Sequence, residues 1–252
     1  MKALITGASS GIGRDMAKEL AKKGYDLVIV ARDKERLEEV KKEIKTNVET
    51  VIMDLSEEEN CKKLHEEIKD VDILINNAGF GDFGDFAETS LEKDIKMIKT
   101  NILALHILTK LYLKDMKEKN SGVILNVASI AGFMPGPLMA TYYSTKSYVF
   151  RLSQAIREEL TKANSKVKIC LLCPGPTKTN FNDVAGVRFG IKSATSEYVA
   201  RYAINKMLKG KFYIFPGTSI KSIRFLSKVI PDKLIAKITY KNQFSKYADK
   251  KK

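Results

Sequence analysis

The chain has 252 residues, 44% of them hydrophobic, enough to bury a substantial core, and α/β sheets of this length commonly form one domain. Its three cysteines are too few for a disulfide framework, and Cys170 and Cys173, a CxxC inside the apolar run from Val167, read as buried strand thiols with no second pair to complete a zinc site. The net charge of +14 is concentrated at the end: from Lys211 to Lys252, eleven Lys or Arg stand against two Asp or Glu, so +9 lies there and nucleic acid is not an expected partner of the body.

Apolar, β-branched runs alternate with longer stretches of helical period, the pattern of a parallel sheet wrapped by helices. The expected strands are Lys2 to Thr6, Asp26 to Ala31, Glu49 to Met53, Val71 to Ile75, Gly122 to Ala128, Val167 to Leu172 and Phe212 to Phe215. This predicts a doubly wound, seven-stranded parallel sheet of Rossmann type. Asp33 is placed to cap a helix over Lys34 to Lys45, Ser56 one beginning Glu57-Glu58-Glu59, and Ser90 a long helix towards Lys119. Thr195 or Ser196 starts another, which Gly210 closes.

After Gly217 the character changes. Ile220, Ile223, Leu226 and Ile230 share one helical face with Lys221, Arg224 and Lys228 on another, and beyond Pro231 the residues Leu234, Ile235 and Ile238 repeat the pattern opposite Lys233, Lys237 and Lys241. The division expected is a main α/β domain over 1–217 and a basic amphipathic helical extension over 218–252. Ala3-Leu4-Ile5 follows Met1 with no basic region or cleavage site before it, and no apolar stretch approaches ~18 residues, so a cytoplasmic location is expected.

The run TGASSGIG, Thr6 to Gly13, links the first strand to a helix continuing through Met16, Ala17 and Leu20. Gly7 permits the turn, Gly11 lets a backbone approach a pyrophosphate, and Gly13 lets helix and strand pack closely; Ser9, Ser10 and Ile12 complete the cradle. Its free N–H groups and helix dipole suit an anion. The second strand ends at Ala31-Arg32, where an acidic residue would take the ribose hydroxyls of NAD; Arg32 suits the 2′-phosphate of NADP(H), with Ser9 or Ser10 adding a hydrogen bond. The plainer readings are that Arg32 pairs with an acidic side chain and that Asp33 takes a ribose hydroxyl.

Tyr142 and Lys146 stand four apart on an apolar-periodic helix, which puts an ammonium beside a phenol. Bringing a phenol from ~10 to about 7 needs roughly 4 kcal/mol, which one cation about 4 Å away supplies at an effective dielectric of ~20. The spacing alone is unspecific, since Tyr202 with Lys206 and Tyr247 with Lys251 repeat it. Only Tyr142 has a polar residue thirteen positions earlier at a strand's carboxyl end, Ser129; the other two have Phe189 and Leu234.

With Asn76-Asn77-Ala78-Gly79, Asn101, and Pro174-Gly175-Pro176 followed by Thr177 and Thr179, these motifs resemble those of the short-chain dehydrogenase/reductase family, from about Lys2 to Gly217. The resemblance implies that Ser129 orients a carbonyl oxygen, Tyr142 transfers a proton, Lys146 holds the nicotinamide ribose and lowers the tyrosine pKa, and Asn101 positions a water of the proton relay. It implies Asp54 and Leu55 at the adenine, Asn77, Ala78 and Gly79 along the adenosine ribose, and Pro174, Gly175, Thr177 and Thr179 around nicotinamide and pyrophosphate. It also implies a homodimer or homotetramer built on the helices near Asn101 and Tyr142. NNAGFGDFGDF, Asn76 to Phe86, with the helical extension is similar to a bacterial branch of that family which fixes no substrate.

Phe181, Val184, Val187, Phe189 and Ile191, with Gly186 and Gly190, fall where that family carries a substrate lid; Phe80, Phe83, Phe86, Phe133, Met134 and Met139 extend an apolar lining with no Arg or Lys among them. The expected substrate is a lipophilic or acyl-type carbonyl or alcohol. The extension is expected to dock on the body, to form an oligomer interface, or to make peripheral membrane contact. Two other functions stay open: a non-catalytic NADP-binding regulator, disfavoured by Ser129, Tyr142 and Lys146 all being present, and a membrane-surface or nucleic-acid-binding protein using the basic end. His65 and His106 are isolated and read as structural, and no metal is expected.

Overall fold

The structure, a computed structural model, describes residues 1–179, 181, 185 and 193–250, with side chains to residue 244. Seven strands form one parallel sheet: β1 Lys2–Thr6, β2 Asp26–Ala31, β3 Val48–Ile52, β4 Ile73–Asn76, β5 Val123–Val127, β6 Lys168–Leu172 and, after a two-residue pair described below, Tyr213–Ile214. In space β1 stands beside β2 on one side and β4 on the other, giving the order β3-β2-β1-β4-β5-β6 with Tyr213–Ile214 at the far edge. The central strands are apolar on both faces because both are covered, as a doubly wound sheet requires, while the edge strand β3, Val-Glu-Thr-Val-Ile, is only partly covered. One face carries Leu4, Val30, Leu74 and Ile124 against Leu64, Leu108, Tyr112 and Phe150; the other carries Ile5, Ile29, Ile75 and Leu172 against Met16, Leu20, Leu37 and Ile204.

The first layer consists of α3 Glu58–Glu67, α5 Leu105–Glu118 and α6 Ala140–Lys162; α1 Gly11–Ala21, α2 Lys34–Lys42 and α7 Ser196–Leu208 cover the second. Asp33, Ser90 and Thr195 cap helices by accepting from the backbone N–H of Arg36, Lys93 and Tyr198. Gly210, with φ of +66°, follows the end of α7. Two expectations are corrected. The second helix stops at Lys42 rather than Lys45, and Ser56 does not cap the third: Glu57 occupies that position while the Ser56 hydroxyl donates to Asp54, the nearer acceptor. Beyond Ser90, α4 Leu91–Ile98 runs into a π-helical turn, Lys99–Ala104, and then α5, so Asn101 sits where the ladder is widened, a feature frequent at functional sites.

Two features were not expected. A two-stranded parallel ribbon pairs β7 Thr177–Lys178 with β8 Ala194–Thr195, and the edge strand, β9 Tyr213–Ile214, is only two residues long. The extension forms α8 Thr218–Val229 and α9 Asp232–Lys250, joined at Pro231. Ile220 enters the main core, and Ile235, Thr239 and Gln243 are buried. Arg224 was assigned to the polar face but points inward: its guanidinium lies 5.3 Å from the Phe133 ring centre and 4.8 Å from that of Phe150. The quadrupoles of two aromatic rings, set edge to face, offer it a partner that charge patterning does not reveal. Leu226, Leu234 and Ile238, assigned to the apolar faces, are exposed, because the inward stripe of each helix is taken by other residues.

Candidate active site

The order of the strands reverses between β1 and β4, and ligands of open α/β sheets bind outside the carboxyl ends at such a point. A cavity of about 700 Å³ opens there, of a size that takes a cofactor or drug-sized molecule. At its floor the turn from β1 to α1 has Gly7 and Gly11 at φ of +65° and +55°. A Cβ on Gly11 would lie 2.9 Å from the Thr179 methyl across the cleft, and one on Gly13 would lie 2.3 Å from the Gly7 carbonyl oxygen. Gly11 therefore keeps the cradle open, whereas Gly13 faces away from the cavity and closes the helix onto the strand. No acidic side chain stands in the first turn of α1 and Ser10 makes no capping bond there, so the helix N-terminus presents its N–H groups to the cleft. This is the donor set a pyrophosphate needs.

Asn77 ties the turn to β4: its amide donates to the Thr6 and Gly7 carbonyls at 3.0 and 3.1 Å, while its own N–H donates to the Thr6 hydroxyl. Asn76 is buried and donates to Thr109 and Asn126, which bolts β4 to α5 and β5. At the end of β2, Arg32 is largely exposed and pairs with Asp54 at 3.7 Å, while Asp54 also holds Lys96 at 3.2 Å. Hydrogen bonds from Ser56 and the Lys96 charge outweigh burial and keep the Asp54 carboxyl below its ordinary range. Arg36, one turn into α2, lines the same end of the cavity. Sequence reasoning missed it; its position three residues after Asp33, to which it pairs at 3.2 Å, was the available signal.

At the other end Ser129 follows β5, and its hydroxyl accepts from the Ala131 N–H at 3.1 Å. Burial pushes the Tyr142 phenol well above its usual range, with a hydrogen bond to Ser129 opposing. Lys146 is 5% exposed, donates to the Val127 carbonyl at 3.0 Å, and lies 5.8 Å from the Tyr142 ring centre. Burial lowers its pKa to about 8. The expected lowering of the tyrosine by the lysine is therefore corrected: desolvation favours the neutral form of each, and it outweighs the opposing hydrogen bond from Ser129 at the phenol. Near neutral pH the site holds a phenol with its proton and a lysine still mostly charged.

Asn101 does not line the cavity. It is buried, accepts from the Phe80 N–H, and donates to the Phe80 carbonyl and the Thr145 hydroxyl, so it fixes the strand end after Gly79 against the helix that carries Tyr142 and Lys146. Of the other residues assigned from sequence, Gly7, Ser9, Ser10, Gly11, Ile12, Arg32, Asp54, Leu55, Asn77, Ala78, Gly79, Pro174, Gly175, Thr177 and Thr179 border the cavity together with Ser129, Tyr142 and Lys146. Tyr202 and Lys206 lie instead beside a shallow surface depression on α7. His65 pairs with Asp115 and His106 with Tyr148, both away from the cleft.

The apolar lining is smaller than expected. Phe80, Met139 and Phe181 border the cavity, joined by Tyr143, while Phe83 is buried in a small cluster with Leu138 and Met139 behind it. Phe86 is 68% exposed, Phe133 packs edge to face in the core against Phe150 and Phe215, and Met134 faces Thr239 of α9, so these three leave the lining. Val184, Gly186, Val187, Phe189, Gly190 and Ile191 lie outside the described residues. The three cysteines are buried, and burial pushes the Cys170 thiol up to about 12.

A family model described as short chain dehydrogenase matches residues 1–186, and the chain belongs to that family of oxidoreductases. It is 34% identical over 241 residues to estradiol 17-beta-dehydrogenase 11 of Macaca fascicularis, covering 92% of this chain and 80% of that protein. It is 38% identical over 179 residues to very-long-chain 3-oxoacyl-CoA reductase of Coccidioides immitis, covering 66% of this chain and only about half, 51%, of the relative. Among solved structures it resembles a short-chain dehydrogenase from Sphingobium yanoikuyae in complex with NADPH, with a TM-score of 0.80, 29% identity, and 91% and 96% of the two chains covered. A short chain dehydrogenase/reductase from Burkholderia phymatum in complex with NAD gives a TM-score of 0.81 at 25% identity, covering 89% and 92%. Both forms of the cofactor thus occur among similar folds.

Proposed function

We propose that this chain is an NADP(H)-dependent reductase of lipophilic or acyl-type carbonyls, with Tyr142 as its proton donor. The observation that carries the reading is the convergence of Ser129, Tyr142 and Lys146 on one cavity whose opposite end offers a glycine cradle and two arginines. When bound, the dinucleotide supplies the hydride for a carbonyl carbon, or accepts it from a carbinol. Ser129 and Tyr142 both present hydroxyls to the carbonyl oxygen, and the phenolic proton passes to that oxygen as its negative charge develops. Lys146 holds the ribose beside the nicotinamide and keeps a positive charge near the phenolate left behind. Asn101 acts through its bonds to Phe80 and Thr145, keeping the cleft wall and the catalytic helix in register.

Arg32 and Arg36 support NADP(H) over NAD, since two guanidinium groups at the adenosine end suit a 2′-phosphate, and the two carboxylates there, Asp54 and Asp33, are each already paired with one of them. Arg32→Ala is expected to weaken NADPH binding by about tenfold or more while leaving NADH nearly unchanged, a loss of one charge-assisted contact. Fluorescence titration with both cofactors reads it; an NADH preference shared by wild type and variant would overturn the assignment.

The apolar lining of Phe80, Met139, Tyr143 and Phe181 supports a lipophilic substrate, and the names of the two curated relatives, a steroid dehydrogenase and a 3-oxoacyl-CoA reductase, agree in that character. The test is turnover of NADPH against a panel of acyl, steroid and short aliphatic carbonyls. No helix among the described residues is long and apolar enough to cross a membrane. We also propose a homodimer: Leu91, Ile95 and Ile98 form an exposed stripe at helical spacing along α4. Ile95→Glu is expected to give monomers by size exclusion with light scattering; a wild type already monomeric at assay concentration would refute the dimer.

A further inference from the structure

The extension has two apolar sides, and the chain uses only one of them. The inner stripe, Ile220 and Arg224 on α8 with Ile235, Thr239 and Gln243 on α9, packs on the body. Around the Pro231 corner a second set stands in solvent: Phe225 and Val229 are 66% and 62% exposed, and Leu226, Leu234 and Ile238 about half. A helix docked by one face ordinarily turns polar side chains outward, so five large apolar groups in fourteen residues, Phe225 to Ile238, need a partner. Interleaved with them are exposed Lys221, Lys228, Lys233, Lys237 and Lys241, against one acidic residue, Asp232.

We propose that this face of α8 and α9 seats the protein on an anionic lipid surface, the apolar side chains entering the headgroup boundary and the lysines reaching phosphates. The charge decides between this and a second copy of the chain. A two-fold interface sets the same patch against itself, lysine facing lysine, with Asp232 alone to offset it. An anionic bilayer instead complements every lysine, and lysine stems can lie along apolar surface while their ammonium groups stay in the headgroup layer. The inner side of α9 backs the cavity wall: Gln243 donates to the Tyr143 hydroxyl at 3.2 Å and approaches the Met139 sulfur at 3.6 Å. The seat therefore lies behind the end of the cleft where the substrate was placed.

The test needs no turnover. The full chain is sedimented with vesicles of phosphatidylcholine alone and of phosphatidylcholine mixed with phosphatidylglycerol. Partition is expected to be at least about tenfold stronger on the mixed vesicles and to fall as salt is added. Phe225→Glu with Val229→Glu is expected to remove binding to both, and Lys228→Glu with Lys237→Glu to remove the preference for anionic lipid; all four positions are exposed, so thermal melting should match wild type. Equal partition on the two vesicle types, no partition at all, or binding that both double variants retain would overturn the proposal. So would a wild-type oligomer that Phe225→Glu with Val229→Glu splits, which would give the face to a second copy.

Discussion

Tyr142→Phe is expected to lower kcat/KM for carbonyl reduction by about a thousandfold, roughly 4 kcal/mol of transition-state stabilisation, while leaving NADPH affinity near wild type. The substitution removes only the hydroxyl. The ring keeps its packing, 5.2 Å from the Phe181 ring centre and 6.2 Å from that of Tyr143, so the pocket retains its shape and a loss of rate reports chemistry rather than collapse. Burial holds the phenol protonated far above neutral pH, which makes it a reservoir for the proton that reduction consumes. The check is steady-state kinetics beside a cofactor titration: equal loss in kcat and kcat/KM with unchanged cofactor binding is the signature of a group acting in the transition state. A variant that turns over at the wild-type rate would remove Tyr142 from the mechanism.

Lys146→Met is expected to separate function from stability. Turnover should fall by about a hundredfold or more, because the nearby positive charge and the ribose contact both disappear. Yet the folded state should gain ~1–2 kcal/mol near pH 7. A buried ammonium whose pKa has dropped from the ordinary lysine value to about 8 costs about 3 kcal/mol, and losing its bond to the Val127 carbonyl gives back roughly 1 of that. The pH dependence follows from the same shift. Between about pH 8 and the unfolded lysine value near ~10.4 the unfolded chain holds a proton that the folded chain has released, so Lys146 contributes a rise in stability with pH through that window, read as the difference between wild type and variant because the buried cysteine thiols act in the opposite sense in both. Lys146→Met should abolish that rise. Denaturant unfolding of both proteins across the range reads it, and a methionine variant less stable than wild type at neutral pH would mean that the lysine's hydrogen bond outweighs its desolvation.

The strands that build the sheet were legible because a parallel strand covered on both faces must be apolar throughout, as Ala3-Leu4-Ile5 and Leu27-Val28-Ile29-Val30 are. The ribbon of Thr177–Lys178 with Ala194–Thr195 carried no such mark, since two-residue strands have no period and their pairing is decided by the fold around them. In the site, Gly7 to Gly13 and the Ser129, Tyr142 and Lys146 set could be read because each lies at the end of a strand or within one helical turn of its neighbour. Tyr143 and Thr100 could not, because they reach the cavity only through the packing of whole helices, whereas Arg36 carried a local mark in its spacing from Asp33. Arg224 shows the limit most clearly: its spacing matched the lysines beside it, and only the approach of Phe133 and Phe150 from two other elements turned it inward. The expected lowering of the tyrosine fails for a related reason. Spacing gives proximity but not burial, and here burial outweighs the pair's attraction.

The measurement closest to the centre of this account is a single turnover of the protein loaded with NADPH and mixed with members of the carbonyl panel, run for wild type and Tyr142→Phe. Loss of dihydronicotinamide absorbance matched by one equivalent of alcohol is expected in the wild type, with the same bound NADPH left unoxidised over that time in the variant. Oxidation at equal rates in the two proteins, or failure of the wild type to bind NADPH at all, would contradict it.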